Sequence, residues 1–360
     1  MSLERVHRGR LFDDARSDAE RALYYVNAHD LGFRPLADHQ LMHALKGADF
    51  ARVQVVGPSG AGKTSLIMRV LRDLHTEKTV PAREVLVLKV GDRPENLKDS
   101  TTVIKLVLDT LAAQDYRFSN IEDGVLRAAA ADQTTEVPRQ AAHQFEVGTQ
   151  FVSYSATLTN AYRQREFGTN AAGLRHDLAD VLRVVKEAEY RPVLVLDDTE
   201  KFVAPGENGT LQAASVANLY DHGVRALAEF EVDLVVATHP RFEEVPKVVE
   251  VRDRLGLDRI EVPRILPDLE GAPMAKILGR RLERGKVQTS LDEVIETPAI
   301  DALATLYHDR NSDLRSVLRI AHGAAERALA RAAAENDRNG GGAARIQVRD
   351  IGMEIVDSLG

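Results

Sequence analysis

The feature that most constrains this chain is the octapeptide Gly57-Pro58-Ser59-Gly60-Ala61-Gly62-Lys63-Thr64, set between an apolar run and a helical one. Val53-Gln54-Val55-Val56 reads as a buried strand, and the residues from Ser65 to Leu74 continue as an amphipathic helix. Glycines at 57, 60 and 62 let the backbone curl so that successive N–H groups point inward as an anion nest. The helix beginning near Lys63 adds the positive end of its dipole. In that setting Lys63 reaches the β- and γ-phosphates of a nucleoside triphosphate, and the Thr64 hydroxyl ligates Mg²⁺. Pro58, Ser59, Ala61 and Ser65 complete the phosphate-binding segment.

A chain of 360 residues accommodates one large α/β domain with a smaller one, or two comparable units. Its 44% hydrophobic and 28% charged residues describe a soluble globular protein. No apolar run of membrane-spanning length and no basic-then-apolar N-terminal signal is present, so a cytoplasmic location is expected, with no membrane partner. The absence of cysteine excludes a disulfide framework and thiolate metal sites. A net charge of -8 argues against wholesale attraction to nucleic acid and leaves only a local basic face for it. The opening Met1-Ser2-Leu3 is given no structural weight.

Helical pattern runs from about residue 12 to 47, with Ala15 to Val26 and Asp38 to Leu45 as two helices. After the first strand, Glu84 to Val90 is a second, nearly continuous in apolar residues as a strand buried on both faces should be. A helix follows from about Thr102 to Ala113. Arg191 to Asp198 is a third strand, Val232 to Thr238 a fourth, and Arg259 to Ile265 a fifth, which Pro263 places at a sheet edge or strand end. Strands alternating with helices predict a parallel sheet covered on both faces. From Asp268 onward the pattern is all helical, with a main helix from about Asp313 to Ala334. A flexible break over Asn336 to Gly342 and a short closing segment, Gln347 to Leu359, complete the chain.

Three further sites carry chemistry. Val193-Leu-Val-Leu196 ends in Asp197-Asp198, and a buried strand ending in a carboxylate can hold the Mg²⁺ shell while the second carboxylate polarises the attacking water. Thr238-His239 closes the next strand, where one of the two can orient water or touch the γ-phosphate, although His239 reads equally as a loop residue. Asn311 or Ser312 can cap a helix and so put Arg315 in its first turn, where a long cation can reach a triphosphate; a solvated arginine is the plainer reading.

In this order, GPSGAGKT at 57–64, VLVLDDTE at 193–200, the polar strand end at Thr238-His239 and SDLR at 312–315 resemble the AAA+ ATPases of the P-loop NTPase superfamily. Within that class the chain looks most like the origin-recognition and replication-initiator branch and its bacterial relatives, over roughly residues 33–355. The Asp-Asp pair is also similar to STAND-type signalling ATPases. The resemblance implies a three-layer α/β fold with a parallel sheet of strand order 5-1-4-3-2 and a C-terminal all-helical lid. It makes Lys63 and Thr64 Walker A groups, Asp197 the Walker B magnesium residue, Thr238 or His239 sensor 1 and Arg315 sensor 2. Asp198 stands where a catalytic glutamate is usual; being one methylene shorter, it implies slow turnover unless Glu200 assists. No winged-helix module is expected after the lid.

The expected division is a helical lead-in over 1–50, a nucleotide-binding core over 51–266 with an insert at about 115–172, and a lid over 267–360. AAA+ sites usually lie between subunits, so ATP and Mg²⁺ are expected at an interface of a homo-oligomer, completed by a neighbour's arginine. Arg254 is the first choice for that finger, then Arg259 and Arg252. The expected function is an ATPase coupling binding and hydrolysis to assembly or to remodelling of a partner. Two alternatives are a nucleotide-gated scaffold or switch and a DNA-associated loader or transposition-type regulator. DNA contact through the aromatic and basic residues of the insert is not favoured.

Overall fold

The computed structural model describes residues 2–8, 11–12, 26, 36–47, 49–76, 83–89, 99–112, 171–187, 191–197, 199–203, 210–262, 264, 273–284, 289–309, 314–339 and 344–359. Asp198, the cap residues Asn311 to Asp313, the helix expected from Ala15 to Val26 (Val26 itself excepted) and nearly all of the expected insert lie outside them.

Five strands, β1 (Arg52–Val56), β2 (Arg83–Lys89), β3 (Arg191–Asp197), β4 (Asp233–Thr238) and β5 (Asp258–Glu261), form one sheet. Their order is β2-β3-β4-β1-β5, which read from the opposite edge is β5-β1-β4-β3-β2. The pairs β2 with β3, β3 with β4 and β4 with β1 are all parallel. The described helices, in chain order, are α1 (Ser2–Arg8), α2 (Ala37–Lys46), α3 (Lys63–Thr76), α4 (Ser100–Ala112), α5 (Ala171–Glu187), α6 (Ala213–Asn218), α7 (Pro246–Leu255), α8 (Pro273–Arg284), α9 (Thr297–Asp309), α10 (Leu314–Asn339) and α11 (Val348–Leu359). α6 runs on through a π-helical stretch, Leu219–Val224, into the short turn Arg225–Leu227.

The chain packs as two compact units, one of Met1–Gln40, Gly57–Arg69 and Glu261–Gly360, the other of Leu41–Val56 and Val70–Ile260. In the second unit β4 is buried at every position and β3 at every position after Arg191, which is why both read as apolar runs and not as alternating strands. On one face Leu194, Leu196, Leu234 and Val236 join Val103, Ile104, Leu178, Leu219, Tyr220 and Phe242 in a single apolar cluster. Each large side chain so buried contributes about 1.5–3 kcal/mol. α4 starts at a reciprocal cap: the Thr102 N–H donates to Asp99 Oδ1 at 2.8 Å, and the Asp99 N–H donates to Thr102 Oγ1 at 3.3 Å.

A partly buried ion pair ties down the N-terminal edge of the sheet. Arg191, at the start of β3, places its guanidinium 2.6 Å from Asp233 Oδ1, at the start of β4, and donates to the carbonyl oxygens of Gly47 and Asp49. Asp233 Oδ1 also accepts from the Ala51 N–H at 2.8 Å, and Phe50 lies under the guanidinium at 5.0 Å. The segment entering β1 is thus fastened to β3 and β4 by charge-assisted bonds.

The other unit has its own core, in which α8 to α11 contribute Leu278, Leu303, Val317, Ala321 and Ile351. Two features differ from the sequence reading. The first residues, given no weight above, form α1, whose Leu3 and Val6 are each 1% exposed within that helical core. His7 stacks on His322 at 4.9 Å, and Arg281 donates to the Leu11 carbonyl at 3.0 Å. Secondly, α10 continues through Asn339, where a break from Asn336 was expected. Asn, Asp and Arg cost a helix only a few tenths of a kcal/mol each, so the polar residues from Asn336 to Asn339 do not end it. Among the described residues no helix is long and apolar enough to cross a membrane.

The Asp233→Ala variant removes the acceptor of Ala51 and the carboxylate partner of a half-buried guanidinium. It is expected to lower unfolding free energy by about 3 kcal/mol, read from the midpoint of urea denaturation.

Candidate functional site

β1 and α3 bracket the glycine-rich loop, so the chain runs strand, loop, helix as the motif requires. Gly60 and Gly62 have φ of 69° and 91°, in the region that L side chains avoid. The Ala61 N–H donates to the Pro58 carbonyl at 3.2 Å, closing the turn, and the Gly62 carbonyl accepts the helical bond from the Leu66 N–H at 2.9 Å. Gly57 is required for a different reason. A Cβ there would lie 2.7 Å from the Val262 carbonyl oxygen, so the backbone passes too closely for any side chain. The Lys63 side chain is buried along the loop, and its Nζ donates to the carbonyls of Gly57 and Pro58 at 2.9 Å each. Ser59 is exposed, while Pro58, Gly60, Ala61, Gly62, Thr64 and Ser65 are half-buried.

Register sets the strand ends side by side. Val56, the last residue before Gly57, pairs with Thr238, and Leu196 pairs with Val236, so Asp197 comes level with Ala237 on the neighbouring strand. Asp197 is fully buried at the end of β3. Just beyond it the chain enters a 3₁₀ turn, Thr199–Phe202, containing Glu200; Thr199 Oγ1 donates to the Ala237 carbonyl and holds the two strand ends together.

Thr238 is fully buried, and its Oγ1 accepts from Gln54 Nε2 at 3.2 Å. His239 caps the 3₁₀ turn Pro240–Glu244, its Nδ1 accepting from the Arg241 N–H at 3.2 Å. In the neutral ring this leaves the proton on Nε2. The sequence treated Gln54 as one more position of a buried strand; the structure gives it a hydrogen bond to a strand-end hydroxyl. Its signal was a lone amide in an otherwise apolar run.

The three candidate arginines separate by their partners. Glu243 accepts from Arg252 at 3.3 Å and from Arg259 at 2.7 Å. Arg254, in the last turn of α7, is exposed and has no carboxylate partner among the described residues. Arg315, the second residue of α10, is also exposed.

The magnesium role can be tested on the donor set. Thr64 offers a hydroxyl and Asp197 a carboxylate, both hard oxygen donors. Among the described residues no group of three or more His, Asp or Glu could hold a metal ion alone. Mg²⁺ is commonly bound through one or two protein oxygens plus substrate phosphates and water.

The architecture is an α/β P-loop fold with a parallel sheet and a helical C-terminal region. No family model matches the chain, and no curated protein does. Solved structures do. The Aeropyrum pernix ORC2 protein in its ADPNP-ADP complexes is 14% identical with a TM-score of 0.51, over 97% of this chain and 71% of that one. Its ADP form is 16% identical with a TM-score of 0.50, over 97% and 72%. The A. pernix ORC1 protein in complex with DNA is 16% identical with a TM-score of 0.48, over 89% and 64%. At these identities the likeness is one of fold.

Two loop variants should separate the two uses of glycine. Gly57→Ala meets a backbone oxygen and is expected to destabilise by about 1–3 kcal/mol. Gly62→Ala meets nothing within 4 Å and carries only the strain of its positive φ, about 1–2 kcal/mol. Arg254→Ala should leave stability within about 0.5 kcal/mol of wild type. Denaturant melts of the three variants check all of these values.

Proposed function

We propose that this chain is an AAA+ type ATPase of the cytoplasm that binds ATP-Mg²⁺ at an interface between its own subunits and couples binding and hydrolysis to assembly or to remodelling of a partner. The observation that carries the reading is the loop itself: GPSGAGKT in strand-loop-helix context, two left-handed glycines and a buried Lys63 on the loop carbonyls. The fold it shares with an ORC2 protein described in ADPNP-ADP complexes supports a nucleotide as the ligand. The proposed division keeps a lead-in over 1–50, a core over 51–266 with its insert at 115–172, and a lid over 267–360.

In this reading the loop N–H groups and Lys63 bind the β- and γ-phosphates, and Lys63 exchanges its two carbonyl acceptors for phosphate oxygens. Thr64 and Asp197 would hold Mg²⁺, which when bound neutralises charge on those oxygens. Asp198, with Glu200 beside it in sequence, takes the proton of the attacking water as the bond to the leaving ADP breaks. Thr238 or His239 orients that water or the γ-phosphate. Arg315 and a neighbour's Arg254 stabilise the charge that develops in transit. The exposure of Arg254, with Arg252 and Arg259 both committed to Glu243, favours it as the residue offered to another subunit.

A second reading is a nucleotide-gated switch with little turnover. The specific observation in its favour is the shorter carboxylate at Asp198.

Steady-state ATP hydrolysis measured against protein concentration tests the proposal. Turnover per subunit should rise with concentration, vanish in Lys63→Ala, and fall about a thousandfold in Asp198→Asn and Arg254→Ala. Mixing those last two variants should restore activity at composite interfaces. Tight ATP binding that depends on Lys63 but yields no turnover selects the switch, and binding that ignores Lys63 refutes both readings.

A further inference from the structure

The large apolar side chains left exposed among the described residues all belong to one helix. They are Val348, Met353 and Val356 of α11, at 46%, 57% and 69% exposure. At 3.6 residues per turn, Val348, Gly352 and Val356 follow one another along a single stripe, with Arg349 and Met353 beside them. Ile351 and Ile355 pack the other way, into the core shared with α8 to α10. A surface helix ordinarily sets a charged face opposite its buried one, and a helix apolar on both sides is ordinarily covered on both. Between Arg349 and Asp357 none of the exposed residues of α11 is charged.

The helix is held so that this stripe faces outward. Buried Asp350 accepts two bonds from Arg331 of α10, at 2.9 and 3.2 Å, and one from the Gln347 N–H at 2.9 Å, which caps the helix start. One turn on, Glu354 accepts from Arg327 Nε at 2.8 Å. Gly323 of α10 makes the room for it, since a Cβ there would run into the Glu354 carboxylate. Rotating α11 about its axis would break these charge-assisted bonds and leave a buried carboxylate without its arginine.

Gly352, in the middle of the stripe, is exposed, and a Cβ there would meet nothing within 4 Å. Glycine is the poorest helix former after proline, and nothing within 4 Å in its own chain asks for it here. On an outward face it lets a second backbone approach more closely than a side chain would. The charges say which second helix fits. Arg349 lies on one side of Gly352 and Asp357 on the other. When two copies of α11 are laid antiparallel across a twofold axis near Gly352 and Met353, each Arg349 comes beside the partner's Asp357. A parallel pairing would set like charges together. Arg349 already pairs with Glu335 at 3.3 Å and Asp357 with Arg327, yet both side chains remain more than half exposed and can take a second partner.

We propose that the outer face of α11 is a self-association surface, on which two copies of this chain pair antiparallel through Val348, Gly352, Met353 and Val356, closed at each end by Arg349 and the partner's Asp357. Such a contact is isologous and stops at two copies. One helix pair offers less than the about 800 Å² per partner of a standard interface, so the dimer is weak and depends on concentration. It uses no residue of the phosphate loop and stands independently of the nucleotide reading.

Sedimentation velocity of the full chain, without nucleotide and with EDTA, tests the proposal. Wild type should pass from monomer to dimer in the micromolar range. Met353→Glu sets like charges together at the axis and should raise the dissociation constant about a hundredfold, with an unchanged melt for the monomer. Arg349→Asp and Asp357→Arg should each raise it about fivefold, and the chain carrying both should return to the wild-type value. Because the sequence has no cysteine, single-cysteine variants read the geometry without background. Under mild oxidation Met353→Cys should cross-link to itself, while Val348→Cys should cross-link only when mixed with Val356→Cys. A wild-type chain that stays monomeric at hundreds of micromolar overturns the proposal and leaves this face to a partner of another kind. A dimer indifferent to Met353→Glu overturns it too, as does one in which Val348→Cys cross-links to itself.

Discussion

The pairing of Val56 with Thr238 is the constraint on which the rest of this structure depends. A parallel sheet has all its C-terminal ends at one edge, and the register decides which residues meet there. Because β4 lies between β1 and β3, that edge brings Asp197, Ala237, Thr238 and the residue preceding Gly57 onto adjacent strand ends. A slip of one residue along β4 would turn Leu234, Val236 and Thr238 to the opposite face and take Leu234 and Val236 out of their cluster. The burial of apolar residues on both faces therefore fixes the polar strand ends as well.

The opposite edge of the sheet is held in another way. There half-buried Arg191 and fully buried Asp233 pair and bind the backbone entering β1. Their bonds restrain where β1 begins, just as its register with β4 restrains where it ends. The loop that follows is shaped by what glycine lacks: positive φ at two positions and, at Gly57, room for the Val262 carbonyl. A rigid strand feeding a loop of fixed curvature is what a preorganised anion site needs.

Much of this is legible in the residues. Runs such as Val193-Leu-Val-Leu196 can only be strands covered on both faces, and glycines spaced before a Lys-Thr pair carry their own backbone geometry. Other features are written in contacts between distant segments. In α1 only Leu3 and Val6 are apolar, too few to display a period, and their burial comes from partners far along the chain. The π-helical turn has no residue signature, since one extra residue in a helix merely shifts the apolar stripe that periodicity would detect. The roles of Arg252 and Arg259 were equally hidden, because the partner of both is Glu243, which arrives from a separate turn.

The account stands on the claim that the loop from Gly57 to Thr64 is a magnesium-dependent triphosphate site. Calorimetric titration of ADPNP into the wild-type chain, with Mg²⁺ and then with EDTA, tests it directly. The account predicts one nucleotide per chain and affinity that weakens about tenfold or more when the metal is withdrawn. No heat of binding, or binding indifferent to Mg²⁺, would contradict it.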